Sequence, residues 1–218
     1  IPSLLILGGQ EGAACRECGY GLGRQPLHVR LMARYALWNA TAVWAVEPSL
    51  AFRALAYAGI SPRFRDVQTV PTVFDGELFR PTADKCLDVV YGAVKPERRK
   101  RIEWIEAALR GSGLTHLGVS LGRFDEAFYA DALARAKVVV NVSHHEGLNN
   151  TLCEAMLAGC VPVVSGIPGN LWAVRDAPHV VVDGDGPAVL RRALREAVAM
   201  ASDGAGLECR ESILRRFP

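Results

Sequence analysis

The sequence lacks the features that mark several broad classes of protein. It has no strong excess of charge, since 25 lysines and arginines oppose 23 aspartates and glutamates and give a net charge of +2. This balance gives no electrostatic reason to expect nucleic acid as a partner. No apolar run approaches the roughly 18 residues that a membrane-spanning helix requires. Half of the 218 residues are hydrophobic, which excludes a disordered or fibrous chain.

Regular cysteine spacing and a dinucleotide-binding glycine pattern are also missing. The six cysteines predict no disulfide framework and favour a reducing, cytoplasmic location. Cys15 and Cys18 form a lone CxxC, which is a weak signal for zinc, so we interpret them as loop cysteines and expect no metal. Gly19–Gly23 lacks the G-x-G-x-x-G spacing and is interpreted as a flexible loop, which ranks NAD-dependent oxidoreduction last among the functions considered.

Strand-like apolar runs alternate with amphipathic helix-like stretches, which predicts an α/β fold with parallel sheets. The predicted helices are Leu27–Asn39, Pro48–Ala58, Pro96–Arg110, Phe124–Ala136, Thr151–Ala158 and Pro187–Ala201. The predicted strands are 1–7, 42–46, 67–70, 87–91, 114–119, 137–143, 161–165 and 179–183. A polar connector over 75–81 predicts a partial first domain with a hinge over 1–81 and a second domain over 82–218.

The most informative stretch runs from the apolar strand Lys137–Ser143 through a polar loop to the helix predicted from Thr151. In an open α/β sheet, ligands bind beyond the carboxyl ends of the strands, where a helix N-terminus attracts phosphate. Gly147 lets the backbone approach a ligand closely. Glu146 and Glu154 flank this loop and can accept hydrogen bonds from the paired hydroxyls of sugars and ribose. A structural alternative is a capping box, in which Glu154 would serve only the Thr151 amide.

Three motifs follow one another in this stretch, at Ser143–Gly147, Leu152–Met156 and Gly159–Val164. In order and in setting they resemble the signature of retaining glycosyltransferases of family 4, which have the GT-B fold. That signature contains an E-x7-E pair, here Glu146 and Glu154. A second resemblance, to the inter-domain hinge of the family, is carried by Val70, Pro71, Asp75, Phe79 and Pro81.

The resemblance implies a GT-B type fold, with a complete C-terminal Rossmann-like domain and part of an N-terminal one. It implies transfer of a sugar from a nucleoside-diphosphate sugar to a carbohydrate or lipid-linked acceptor, without metal or another cofactor. By similarity, Glu146 is the catalytic residue that holds the donor sugar, and Glu154 holds the ribose hydroxyls. The loop residues that would contact the donor are Gly147, Leu148, Asn149, Asn150 and Thr151.

The sequence departs from the family pattern where a cation is expected. The family has Gly-Arg after the strand that ends here at Gly92, whereas this chain has Ala93. Cations must stabilise the diphosphate as its charge grows, so we expect Lys95 and Arg98 to take over this task. The alternative is a basic helix face in solvent. Trp172 stands near the position of a frequent glutamate.

Several alternatives stay open at this stage. A non-catalytic homologue could bind a sugar nucleotide without transferring the sugar. Another GT-B activity, such as sugar-nucleotide epimerisation, is a second alternative. The chain begins at Ile1 and ends at Pro218, near the expected start of the last helix, so we expect truncation at both ends. Arginines on the helix Pro187–Ala201 could contact the inner face of an anionic membrane, although a packed surface helix is favoured. The base, the sugar and the acceptor are not identified.

Overall fold

The computed structural model describes residues 3–8, 19–64, 66–70, 72–92, 98–119 and 125–217. The strands are β1 Leu4–Leu7, β2 Ala42–Ala45, β3 Asp66–Thr69, β4 Leu87–Gly92, β5 His116–Val119, β6 Ala136–Asn141, β7 Val161–Ser165 and β8 Val180–Val182. The helices are α1 Leu27–Asn39, α2 Pro48–Ala58, α3 Ile102–Leu109, α4 Glu126–Ala134, α5 Asn150–Leu157, α6 Pro168–Val174, α7 Pro187–Ser202 and α8 Ala205–Arg216. Short 3-10 turns cover Leu22–Arg24, Pro62–Phe64 and Arg98–Lys100.

The described strands form two parallel sheets, one of three strands in the order β1-β2-β3 and one of five in the order β5-β4-β6-β7-β8. The predicted α/β class with parallel sheets is therefore confirmed. In the larger sheet, β5 lies on one side of β4, and the next strand in the chain, β6, lies on the other side of β4. This reversal makes the carboxyl ends of β4 and β6 a topological switch point, where ligands bind in such sheets.

The two helices of the smaller sheet begin and end where the sequence predicts. In α2, the side chain of Glu47 accepts a hydrogen bond from the amide of Ser49 and caps the helix. Gly59 ends that helix in the left-handed region, with φ 74°, which costs a glycine little. Leu50 and Leu55 face the sheet and are fully buried, so the apolar face of α2 supplies the core of this unit.

The larger sheet is buried on both faces, as parallel sheets with crossover helices are. Its central strand carries Val138, Val139 and Val140, which are all buried. On α7, Leu190 and Leu194 complete the core. Arg191 of the same helix donates to the carbonyl oxygens of Ala108 and Arg110. The helix α7 thus packs on the fold by one face, and Arg191 is used for contacts within the fold.

Two predicted helix starts beside the larger sheet are wrong. The basic helix begins at Ile102 instead of Pro96, since Arg101 is in the left-handed region (φ 54°) and separates it from the preceding turn. The helix predicted from Phe124 begins at Glu126, because the Asp125 side chain caps it by accepting from the amide of Phe128. The structure also has a helix that the sequence did not predict, α8 over Ala205–Arg216.

The connector between the sheets is held by Arg210 of α8. Its Nη1 donates to the carbonyl oxygens of Phe79 at 2.6 Å and of Leu157 at 2.5 Å. Its Nη2 donates to the carbonyl oxygen of Gly76 at 2.8 Å. One arginine thus joins the connector, the end of α5 and α8 into a single unit.

Candidate functional site

A narrow crevice opens at the switch point of the larger sheet. Its walls come from Gly92 at the end of β4, Asn141 and Ser143 after β6, and Asn149 and Thr151 at the start of α5. Lys100, the last residue of the 3-10 turn Arg98–Lys100, also lines it. The crevice therefore brings the ends of two strands, one helix start and one cation together, which suits an anionic ligand.

The start of α5 is capped by Asn149, which rules out the alternative of a capping box formed by Thr151 and Glu154. Asn149 Oδ1 accepts a hydrogen bond from the amide of Leu152 at 2.9 Å, and the helix runs from Asn150 to Leu157. Because Asn149 takes the cap, Thr151 lies inside the first turn and Glu154 is released for another partner. Thr151, in that first turn, lines the crevice, and the first amides of a helix have no partner within the helix.

Glu146 is a buried carboxylate with two partners. Ser143 Oγ donates to its Oε1 at 2.8 Å. Arg99 Nη1 donates to its Oε2 at 2.7 Å, and both members of this ion pair are largely shielded from solvent. The arginine compensates the charge of the carboxylate, which would otherwise be costly to bury.

Arg99 links the Glu146 loop to the smaller sheet. Its Nη1 also donates to the carbonyl oxygen of His145 at 3.0 Å, and its own carbonyl accepts from the amide of His144 at 2.9 Å. The ring of Tyr20 lies over the guanidinium at 4.8 Å and against the ring of His145 at 5.6 Å. Tyr20, in the stretch that the sequence predicts as a flexible loop, thus packs its ring on this site.

Glu154 lies one turn into α5 and is half-buried. Its Oε2 accepts a hydrogen bond from Tyr129 Oη at 2.5 Å. Burial raises the pKa of this carboxyl group, and the bond from Tyr129 partly opposes the shift. Glu154 is thus a carboxylate held by a neighbouring helix, not a free surface residue.

A tight contact behind the loop fixes its backbone. A Cβ on Gly169 would lie 1.9 Å from the carbonyl oxygen of Gly147 and 2.6 Å from that of Glu146, so only glycine fits there. Ser165 Oγ donates to the carbonyl oxygen of Ser143 at 2.7 Å. Asn170, fully buried, donates to the carbonyl oxygen of Asn141 at 3.1 Å. These contacts fix the position of the segment that carries Glu146.

The residues that the sequence placed in the site differ in their burial in the structure. Glu146, Gly147, Leu148 and Asn149 are buried in the loop, whereas Asn150 is exposed at the first position of α5. Arg98 is exposed on its turn, and Lys95 lies outside the described residues. The cations that reach the site are Arg99 and Lys100, which the sequence did not single out within the basic run.

Further contributors came from distant parts of the chain. Tyr129 and Gly169 have no local motif that marks them, although Gly169 follows Pro168 at the start of a short helix. Trp172, singled out as a departure from the family, lies under the guanidinium groups of Arg175 and Arg216. It therefore has a packing role in the structure.

Neither a metal-binding cluster nor a membrane-spanning helix is found in the described part of the chain. No group of three or more histidine, cysteine, aspartate or glutamate side chains there could hold a metal ion, and Cys15 and Cys18 lie outside that part. None of the described helices is both long enough and apolar enough to cross a membrane.

Comparison with protein families gives a match over more than half of the chain. The family described as "Glycosyl transferases group 1" matches residues 78–200, which include the whole crevice and both glutamates. The chain belongs to this family. A search of the curated proteins found no match.

Solved structures show that this glycosyltransferase-family chain has the GT-B fold. It resembles sucrose-phosphate synthase from Thermosynechococcus elongatus with a TM-score of 0.79 at 18% identity, covering 98% of this chain and 63% of that one. It resembles Anabaena HepE in complex with UDP and glucose with a TM-score of 0.75 at 14% identity, covering 99% and 68%. For a mutant of S. aureus TarM in complex with Fondaparinux, alpha-GlcNAc-glycerol and UDP, the TM-score is 0.73 at 11% identity, covering 100% and 48%. The chain thus spans about two thirds or less of each of these proteins.

Proposed function

We propose that this chain carries the donor-binding part of a glycosyltransferase that moves a sugar from a nucleoside-diphosphate sugar to an acceptor hydroxyl. The observation that carries the proposal is the pair Glu146 and Glu154 on either side of the α5 start, at the switch point of the sheet. A carboxylate on each side can accept from hydroxyls, one set on the sugar and one on the ribose. Similar folds in complexes that contain UDP support this assignment.

The diphosphate would lie between the α5 start and Lys100. Thr151, in the first turn of α5, and Lys100 line the same crevice. Charge grows on the leaving diphosphate as the glycosidic bond breaks, and preorganised donors that meet this charge lower the barrier. This chain could therefore stabilise the leaving group without a metal ion, even though Ala93 replaces the arginine of the family.

We further propose that transfer proceeds with retention, by front-face attack of the acceptor hydroxyl. Both oxygens of Glu146 already accept hydrogen bonds, from Ser143 and Arg99. This arrangement suits a carboxylate that orients sugar hydroxyls better than one that attacks carbon. The departing diphosphate would then take the acceptor proton. A covalent intermediate on Glu146 is the less favoured route.

A non-catalytic sugar-nucleotide-binding homologue is the second candidate, because of Ala93. Assays of the full protein that contains this chain separate the two. A transferase releases UDP, GDP or ADP from its donor and labels a carbohydrate acceptor, whereas a binding protein does neither. Labelled donor also reveals an epimerase, since the product would be an isomeric nucleotide sugar. A lipid-linked acceptor and a peripheral membrane location stay proposals that the same assay tests with vesicles added.

Donor binding itself is tested by a thermal-shift panel of UDP-, GDP- and ADP-sugars. A ligand present at a hundred times its dissociation constant adds about 2.7 kcal/mol to the free energy of unfolding. We expect one panel member to raise the melting temperature, and we expect Glu154→Ala to abolish the shift. Glu196→Ala, on an exposed residue of α7, is the matched control and should keep it. If no panel member shifts the wild-type protein, the proposal is wrong.

A further inference from the structure

Tyr129 is a buried aromatic residue that connects Glu154 to the connector between the sheets. It lies on α4 with only 1% of its surface exposed. Its ring meets that of Phe79 edge-on, with centroids 6.0 Å apart and planes at 87°. Because Phe79 belongs to the connector held by Arg210, the Tyr129 ring has little freedom to turn. A buried phenol hydroxyl needs a hydrogen-bond partner, and here the acceptor is Glu154.

This bond distinguishes the two carboxylate oxygens of Glu154. Oε2 receives the Tyr129 hydroxyl at 2.5 Å, and no other described residue donates to this carboxylate. Thr151 Oγ1 lies 3.2 Å from the same phenol oxygen. A phenol has one proton and gives it to the stronger acceptor, so the carboxylate receives it and Thr151 can donate in return. The result is a carboxylate fixed in rotation, with Oε1 left to accept from a ligand.

The charge state of Glu154 depends on the same contact. Burial raises its pKa, the bond from Tyr129 lowers it, and the charge of Glu126 raises it. A hydroxyl that donates to the carboxylate stabilises the ionised form, which is the form that accepts two ribose hydroxyls best. The buried Tyr129 therefore acts on both the direction and the charge of this acceptor.

We propose that Tyr129 is a positioning residue for nucleotide binding, which holds Oε2 of Glu154 so that Oε1 accepts hydrogen bonds from the ribose of a nucleoside diphosphate. This inference rests on the proposed function of Glu154. It assigns a role to a residue of α4, an element that carries no part of the E-x7-E motif. The phenol reaches the ligand only through Glu154.

A double-mutant cycle tests the inference. UDP, ADP and GDP are titrated into the wild-type protein by calorimetry, and the tightest of them is used for all variants. Tyr129→Phe keeps the ring against Phe79 but removes the donor, and we expect about tenfold weaker binding. In the Glu154→Ala background the same substitution should cause no further loss, because its effect passes through that carboxylate. Tyr57→Phe, which loses a hydroxyl contact to Arg30 in the smaller sheet, is the matched control and should bind like wild type.

A second ligand separates positioning from a general loss of structure. The 2′,3′-dideoxy form of the same nucleotide lacks the hydroxyls that Oε1 would accept, so Tyr129→Phe and wild type should bind it equally. An equal loss from Tyr129→Phe in both Glu154 backgrounds, or with the dideoxy nucleotide, overturns the role of Tyr129 and leaves the proposed function standing. If none of the three nucleotides binds the wild-type protein, the proposed function fails and this inference fails with it.

Discussion

Arg99 Nη1 and Glu146 Oε2 lie 2.7 Å apart although 47 positions separate the two residues in the chain. The contact joins the turn after β4 to the loop after β6, so each stabilises the position of the other. The same guanidinium lies beneath the ring of Tyr20, 4.8 Å away. The cation that pairs with the candidate catalytic carboxylate is therefore Arg99. The sequence favoured its neighbour Arg98.

We expect Arg99→Ala to lower the free energy of unfolding by about 3 kcal/mol, because it leaves the Glu146 charge buried without its partner. Binding of the nucleoside diphosphate should weaken in the same variant. Urea denaturation and calorimetry measure the two effects. Arg192→Ala, at an exposed position of α7, controls for the loss of a surface arginine. An Arg98→Ala variant that loses more affinity than Arg99→Ala would favour the sequence assignment over the structural one.

Gly169→Ala should displace the loop that carries Glu146. The added Cβ would lie 1.9 Å from the carbonyl oxygen of Gly147, and both elements must move to accept it. Such overpacking costs about 1–3 kcal/mol, and we expect nucleotide binding to be lost as well. Gly166→Ala is the control, since its Cβ would make an ordinary contact of 3.6 Å with Val181. Wild-type affinity in Gly169→Ala would contradict this account of the loop.

Two substitutions of Asn149 test the stability of α5 separately from the affinity of its start for phosphate. Asn149→Ala should cost about 1 kcal/mol of stability through the lost cap. Asn149→Asp keeps a capping oxygen but places a negative charge in the crevice, so stability should persist while diphosphate affinity falls. Glu47→Ala removes the side chain that caps α2 beside the smaller sheet and should destabilise without weakening binding. Thermal melts and calorimetry distinguish these cases, and equal affinity in Asn149→Asp and wild type would argue against a phosphate at this helix start.

The lowered pKa of Asp88 predicts part of the loss of stability in acid. Burial would raise its pKa, but hydrogen bonds from Lys137 and Thr115 outweigh burial and hold the pKa below its usual range. The unfolded chain therefore binds this proton first as the pH falls. The stabilisation is present above about pH 4 and is lost as the pH falls through the lower, native pKa. Asp88→Asn should flatten the decline of stability below pH 4 in urea titrations. Asp203→Asn, at an exposed position, should leave the decline unchanged.

The fold was largely predictable because hydrophobic periodicity is a local property. The helices α1 and α2 match their predicted bounds, since apolar spacing, Pro48 and Gly59 all mark them. The length of α8 was not predicted, because its buried positions include Gly206 and Ser212. Small and polar residues give little apolar signal, although they allow close helix packing. The close approach of Gly206 to the carbonyl of Gly159 is visible only in three dimensions.

The site was predictable where a motif carries it and not where tertiary contacts do. The sequence drew attention to Glu146 and Glu154 and offered Thr151 only as an alternative cap, whereas Asn149 caps α5. The side chains of neighbouring cations in a basic run differ in the direction in which they extend. The backbone turn at Arg101 therefore decides which of them reaches the crevice. The partners of the two glutamates, Arg99 and Tyr129, lie far away in the chain, and their assignment as donor-site residues awaits the binding experiments.

The three bonds of Arg210 have a consequence for how a GT-B protein of this family can bend. Since the carbonyl oxygens of Gly76 and Phe79 are tied to α8 and to the end of α5, the backbone from Gly76 onward must move with the five-stranded unit. Any bend between the two sheets would therefore have to take its backbone rotation from residues that precede Gly76.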